Sequence, residues 1–300
     1  MAGGARYDLV SLDLFRSVAT GGSIAQAASL HGLVPSAVSK RIADLEALVG
    51  VPLLNRHRRG VEPTSAGRDL LRHAEGLRAA IDRMEAEMGA HATGRRGAIR
   101  VAANSSSISQ FLPEDLAEFV TAHPDLTVHL AEMTSLEVIE AVRGGRADLG
   151  IFSGLTEAVG LSILPYRRDT LVVVMPADHP LAARRVLRLE DVVGEPFVAL
   201  QAGSSIQAWI ERRAEEAGAR IRTQVAVQSF DGVRRMVQAR LGIAILPFGA
   251  VEPYLDAARL AMVPLDEPWA TRDLLLAVRD LAAVSPQTAA LIATLRGQAE

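Results

Sequence analysis

The sequence predicts an α/β chain headed by an all-α winged helix-turn-helix, followed by a long linking helix and a two-lobed α/β region. Three observations carry this. Two helical patterns meet across His31-Gly32. An apolar seam at heptad spacing runs from Leu70 to Met88. From Ile99 onward strand and helix patterns alternate, as they do around a parallel sheet.

Residues 1–8 carry no pattern and read as loose. Leu9, Leu12, Phe15, Val18 and Ala19 space as one helix face, and Thr20-Gly21-Gly22 ends it. Ser23 is placed to cap the next helix, with Gln26 as its capping-box partner. Ala27, Ala28 and Leu30 mark that helix's apolar face, and small alanines let two helices cross closely. Gly32 allows the tight turn such a pair needs. Val38, Ile42, Leu45 and Leu48 then recur at spacings of 4, 3 and 3, one face of a further helix. Its other face carries Ser36, Ser39, Lys40 and Arg41: short hydroxyls and cations, suited to base edges and phosphates. Leu53-Leu54 and the basic run Asn55-Arg56-His57-Arg58-Arg59-Gly60 read as strand, turn and strand, a wing placed to touch a nucleic-acid backbone.

Ser65 to Ala92 reads as one helix, roughly 40 Å long at 1.5 Å per residue. Leu70, Ala74, Leu77, Ile81, Met84 and Met88 fall at 4, 3, 4, 3 and 4 along it. An a/d seam of this kind needs a partner. Self-pairing into a parallel or antiparallel dimer is favoured over packing on its own domain, and the spacing does not set the direction. A dimer would present two recognition helices to a partial inverted repeat. Residues 93–97, Thr-Gly-Arg-Arg-Gly, form a linker.

Beyond the linker, Ile99–Ala103 leads into Ser105-Ser106-Ser107 and a helix, and Phe197–Leu200 leads into Gln201, Gly203, Ser204, Ser205 and another. A second pair also matches. A helix at 138–142 precedes the strand Ala147–Phe152, and one at 233–237 precedes the strand Ile243–Leu246. Two similar lobes follow, with the chain crossing between them twice and a cleft at the crossing, where open α/β sheets bind ligands. Hydroxyls at strand-to-helix junctions make natural acceptor sites for anions: Ser105, Ser106 and Ser107, then Thr134 with Ser135, Ser204, and Ser229. The alternative at each junction is an N-cap without a ligand. Gln201 offers an amide, and Phe230 and Phe248 an apolar wall. A small organic acid with an apolar part fits, and no arginine lies within these turns to hold a strongly charged one.

Composition narrows the class. Net charge is −3 over 300 residues, yet residues 34–73 carry seven Lys/Arg against four Asp/Glu, and residues 95–300 carry 21 against 25. The local face matters for nucleic acid more than the sum. No 18-residue apolar run exists and the N-terminus lacks a signal-peptide core, so a cytoplasmic protein with no membrane association is expected. With no cysteine and seven scattered histidines, no metal site, cofactor or thiol chemistry is expected. No G-x-S-x-G, phosphate loop, dinucleotide fingerprint or zinc signature is present, so no catalytic residue is assigned.

The N-terminal block resembles the LysR-type transcriptional regulators, and the likeness runs nearly end to end. Ser23 with Ala27-Ala28, Ser39 with Lys40 and Ile42, Leu45-Glu46, Leu48 with Gly50, Leu53-Leu54 with Arg56, and Thr64 with Ala66-Gly67 carry it without a gap. Val34-Pro35 stands where the family opens its recognition helix with Ser-Gln, and Ile24 where it has phenylalanine. Proline suits a first helical turn. The resemblance implies a winged helix-turn-helix at 7–64, a dimerisation helix at 65–92 that pairs antiparallel, and a periplasmic-binding-protein-like effector domain at 97–300. Lobe I would take 97–163 and 268–300, and lobe II 164–267. Double-stranded DNA would be held by Ser23, Gln26, Pro35, Ser36, Ser39, Lys40, Arg41, Arg56, Arg58 and Arg59. A small-molecule effector would sit among Ser105, Ser106, Ser107, Thr134, Gln201, Ser204, Ser229, Phe230 and Phe248. Leu70, Ala74, Leu77, Ile81 and Met84 would form the dimer interface. A homodimer assembling into a tetramer is implied, with RNA polymerase as a further partner. Three readings remain beside this one: a solute receptor, an enzyme on the same scaffold, and a DNA-binding protein whose cleft takes no ligand.

Overall fold

The computed structural model describes residues 7–57, 60–93, 97–201 and 203–297, with backbone alone at 83, 86–87, 89–93 and 258. Arg58 and Arg59 lie outside the described residues. The chain divides into two compact units that part near Gly89.

In the first unit, α1 (Leu9–Gly21), α2 (Ile24–Leu30) and α3 (Pro35–Val49) close on a core of Leu12, Leu14, Phe15, Val18, Ala27, Ala28, Val38, Ile42 and Leu45. Asp8 caps α1 by accepting from the Ser11 N–H at 2.9 Å, and Ser23 caps α2 by accepting from the Gln26 N–H at 3.3 Å. Among the described residues no bond returns from the Gln26 side chain to Ser23, so half of the expected capping box forms. Three apolar positions differ from the periodic reading. Leu9 is half-exposed and Leu14 is buried in its stead. Leu30, the last residue of a two-turn helix, is 76% exposed. Leu48 is exposed, while Val49 packs on the core, because a step of four from Leu45 holds the face.

β1 (Leu54–His57) and β2 (Gly60–Pro63) pair antiparallel as the wing. Glu46 anchors its base: Oε1 accepts from the N–H groups of Leu53 and Leu54 at 2.8 and 3.2 Å. The Val61 N–H donates to the Gly22 carbonyl at 2.9 Å, tying the wing to the α1–α2 turn. α4 (Ser65–Thr93) follows. A Cβ at Gly67 would lie 2.0 Å from the Leu53 carbonyl oxygen, so the helix comes this near the wing only because residue 67 is glycine.

The second unit begins with β3 (Gly97–Ala103), α5 (Ser105–Gln110), α6 (Leu112–Ala122), β4 (Leu126–Glu132), α7 (Ser135–Arg143) and β5 (Leu149–Ser153). β6 (Ser162–Pro176) leads to α8 (Leu189–Val192), β7 (Pro196–Leu200), α9 (Ser205–Glu216), β8 (Arg222–Val227), α10 (Phe230–Gln238) and β9 (Ala244–Pro247). α11 (Leu255–Ala258), β10 (Leu260–Pro264), β11 (Thr271–Val278) and α12 (Pro286–Gly297) complete it. β3 lies between β4 and β5, parallel to both. β11 pairs antiparallel with β5 and with the first part of β6, from Ser162 to Thr170. The remainder of β6, Leu171–Pro176, pairs with β9 and β10. One strand therefore serves two hydrophobic cores: one around Ile99, Phe119, Ile151 and Leu276, the other around Val173, Phe197, Ile210 and Ile245. The strand expected at Ala147–Phe152 starts at Leu149, since Asp148 is drawn off to Arg100, with Arg100 Nη2 donating to Oδ1 at 2.7 Å. β4 and β8, half-exposed strands without apolar runs, are additions to the sequence reading.

Candidate functional site

Two regions gather the residues singled out by sequence. The first is the solvent face of α3, opposite Val38, Ile42 and Leu45. Ser36 and Lys40 are exposed there and Ser39 is half-buried. Lys40 meets Asp44 at 3.4 Å with both side chains well exposed, a weak pair that leaves the ammonium accessible. Pro35 opens the helix in an exposed first turn, behind a Val34 that is 63% exposed. Arg41, expected on this face, turns to the start of α1 instead. Its Nη1 donates to Ser11 Oγ at 3.2 Å and pairs with Asp8 at 3.4 Å. It stands on the flank of the helix, next to the buried side, and α1 offers a carboxylate within reach. Bonds from Ser11, with Arg41 adding to them, hold the Asp8 carboxyl below its ordinary range. Ser23 spends its Oγ on the α2 cap, and Gln26 and Arg56 are exposed.

The expected seam on α4 splits in two. Leu70, which is half-buried, and Ala74, which is buried, pack against the core of their own unit. Farther along, Leu77 and Met84 are exposed and Ile81 is half-buried. The heptad spacing is shared by both stretches; among the described residues of this seam, those of the first stretch join the hydrophobic core of α1–α3.

The second region is a cavity of about 300 Å³ within the second unit. Ser105, Ser106 and Thr134 line it from one lobe, and Gln201, Ser204 and Phe230 from the other. Three expected residues fall outside it. Ser107 is fully buried, with its hydroxyl donated to Asn104 Oδ1 at 2.7 Å, because Asn104 rather than a serine caps α5. Ser229 caps α10, accepting from the Gly232 N–H at 3.1 Å. Phe248 is 45% exposed on a separate turn, and the apolar wall is made by Phe230, Leu200, Ile206 and Met133.

Four residues missed by the sequence reading shape this cavity. Arg272 on β11 is buried behind it and donates from Nη2 to Ser106 Oγ at 2.7 Å. It also pairs with Asp169, the residue opposite it on β6, with Nε to Oδ2 at 3.0 Å. Asp169 Oδ1 and Arg272 Nη1 have no hydrogen-bond partner among the described residues. A guanidinium has only donors, so Ser106 accepts from it and keeps its own hydrogen for the cavity. Gln110 joins the lobes: its Nε2 donates to the Ser106 carbonyl and its Oε1 accepts from the Gly249 N–H, each at 3.0 Å. Glu132 and Glu137 line the cavity, its two acidic or basic residues among those described. Ser105 Oγ donates to Glu132 Oε1 at 2.6 Å, and the N–H and hydroxyl of Thr134 donate to Glu137 Oε2 at 2.8 Å each. Sequence spacing carries no sign of Arg272 or Gln110, whose partners lie 166 and 139 residues away. Both glutamates sit at the β4–α7 junction already marked by Thr134 and Ser135.

Among the described residues no helix is long and apolar enough to cross a membrane. Comparison with known proteins follows the same division of the chain. Residues 9–68 match the family described as bacterial regulatory helix-turn-helix protein, lysR family, and residues 92–300 match the LysR substrate binding domain. A probable RuBisCO transcriptional regulator of Synechocystis is 28% identical over 272 residues, 86% of this chain and 77% of that protein. The HTH-type transcriptional regulator CbbR of Rhodospirillum rubrum is 27% identical over 293 residues, 97% of this chain and 96% of its own. The crystal structure of CbnR, a LysR family transcriptional regulator, superposes with a TM-score of 0.69 at 22% identity, covering 98% of this chain and all of that one; its complex with target DNA gives 0.67. Both halves of the molecule and their order along the chain lead to one assignment: this chain belongs to the LysR family of DNA-binding transcription regulators.

Proposed function

We propose that a small organic acid, held between the lobes of the second unit, sets how this regulator engages its operator. The observation that carries the reading is the place of Ser106. It lines the cavity, accepts from Arg272 on a strand shared with the crossing point, and is joined through Gln110 to Gly249 of the opposite lobe. A ligand that takes the Ser106 hydrogen bond acts on both ties. Such a ligand shifts an equilibrium only by its differential affinity for two arrangements, and these ties supply a difference between lobe settings. The acid's carboxylate accepts from Ser106 and from the first-turn amides of α9 at Ser205 and Ile206, which have no intrahelical acceptor.

In this reading the chain divides into a winged helix-turn-helix at 7–64, a dimerisation helix at 65–92 and an effector domain at 97–300. Ser36, Ser39 and Lys40 face base edges and phosphates, and Arg56, Arg58 and Arg59 the backbone. CbnR, with target DNA in its complex, supports this assignment by likeness. The protein works in the cytoplasm as a homodimer or tetramer, recruits or contacts RNA polymerase, and turns over no substrate. The test is Ser106→Ala in a fluorescence-anisotropy assay on an operator selected from random duplexes. Operator affinity without effector should stay within about twofold, and the shift in affinity on adding effector should fall by tenfold or more in effector concentration. An unchanged effector response would remove Ser106 from the site.

A further inference from the structure

The charge of the cavity wall narrows the effector further. Among the described residues, the acidic and basic side chains that line it are both carboxylic, Glu132 at the end of β4 and Glu137 in the first turn of α7. Among the described residues no lysine, arginine or histidine lines it. Arg272, the guanidinium behind Ser106, is already engaged by Asp169 and lies out of contact with solvent. A plain carboxylate entering this space would meet two carboxylates of its own sign, both exposed to solvent, with hydroxyls and amides to receive it and no counter-charge beside it among the described residues. The remaining polar groups are sorted by direction. Ser106 keeps its hydrogen and donates. Ser105 has given its hydrogen to Glu132, and Thr134 has given its own to Glu137, so that side of the cavity accepts. Gln201 and Gln228 can do either. One end of the ligand must accept hydrogen bonds and the other must donate them to a negative wall.

We propose that the effector is a zwitterion of amino-acid type, with its protonated nitrogen against Glu132 and Glu137 and its carboxylate at Ser106 and the first turn of α9. Its side chain faces Leu200, Ile206 and Phe230. This rests on the effector-binding reading above and adds the ligand's positive group to it. Glu132 leads the assignment, since its carboxylate has lone pairs to offer beyond the one Ser105 hydrogen.

The experiment uses the full chain and thermal unfolding followed by calorimetry. The probes are the twenty common L-amino acids, ω-amino acids of three to six carbons, and for each hit its deaminated acid and its decarboxylated amine. The expected result is that one or more zwitterions raise Tm, and that removing either charged group weakens binding tenfold or more. Glu132→Gln should weaken the zwitterion by at least tenfold while improving the deaminated acid. Its ligand-free Tm reports whether it folds, and Glu137→Gln provides a second reading on the same wall. If deaminated acids bind as tightly as their amino acids, or if Glu132→Gln leaves zwitterion binding unchanged, the proposed cation contact is wrong while effector binding stands. If no zwitterion binds but other small acids do, the proposal is likewise overturned. If neither set binds and Ser106→Ala changes nothing on the operator in the presence of cell extract, the effector reading falls with it.

Discussion

At the scale of single residues, the pair Asp169–Arg272 governs the region behind the cavity. Both side chains are almost wholly buried and face each other across β6 and β11. Buried ion pairs contribute little over an apolar pair of equal volume, but removing one member strands the other's charge. Arg272→Met should therefore lower stability by about 3–5 kcal/mol in urea unfolding, and Arg272→Met with Asp169→Leu should regain most of it. A loss that persists in the double variant would show that shape, not charge, is what the site requires. Of this arrangement the sequence displays only Ser106. Turn serines are visible because they break the strand pattern and open a helix. Arg272 sits in an ordinary strand, and nothing local marks it as the partner of a residue so far back along the chain.

At the scale of elements, periodicity identified helices well and their outer limits poorly. α1, α2, α3 and α4 are all present where apolar spacing puts them, yet Leu9, Leu30 and Leu48 face solvent. Each lies at or near a helix end, where a spacing rule has no following turn to constrain it. β4 and β8 escaped the reading because half-exposed strands lack a continuous apolar run. The seam on α4 shows a different limit: one heptad pattern serves two purposes, an internal core at Leu70 and Ala74 and an exposed stripe at Leu77 and Met84. If that stripe pairs between protomers, Leu77→Cys should give a disulfide-linked dimer under mild oxidation, in a chain with no cysteine of its own. Monomer alone on non-reducing electrophoresis would assign the stripe elsewhere.

At the scale of the whole molecule, the distribution of charge informs more than its total. A net −3 conceals a basic winged segment and a more acidic remainder. Affinity for DNA backbone is salt-dependent through counterion release. Arg58→Ala should weaken binding to all duplexes alike and reduce the slope of log K against log salt by about 1 per protomer; a loss limited to one operator would make Arg58 a base reader instead. The two-lobed plan was legible because strand–turn–helix units repeat, and the sign of the cavity was not, because Glu132 and Glu137 become neighbours of Ser204 and Phe230 only when the lobes are assembled.

The continuity of β6 through both lobes has a consequence for how the family member can change over time. Leu171–Pro176 are registered against β9 and β10, while Ser162–Thr170 are registered against β11. One added or deleted residue near Thr170 would displace six buried positions by a full step relative to their neighbours unless a bulge absorbed it, as the register shift at Tyr166 does against β11. Exchanges that keep volume at Leu171–Pro176 and leave the Asp169–Arg272 pair intact should be borne by that strand more readily than a change in its number of residues.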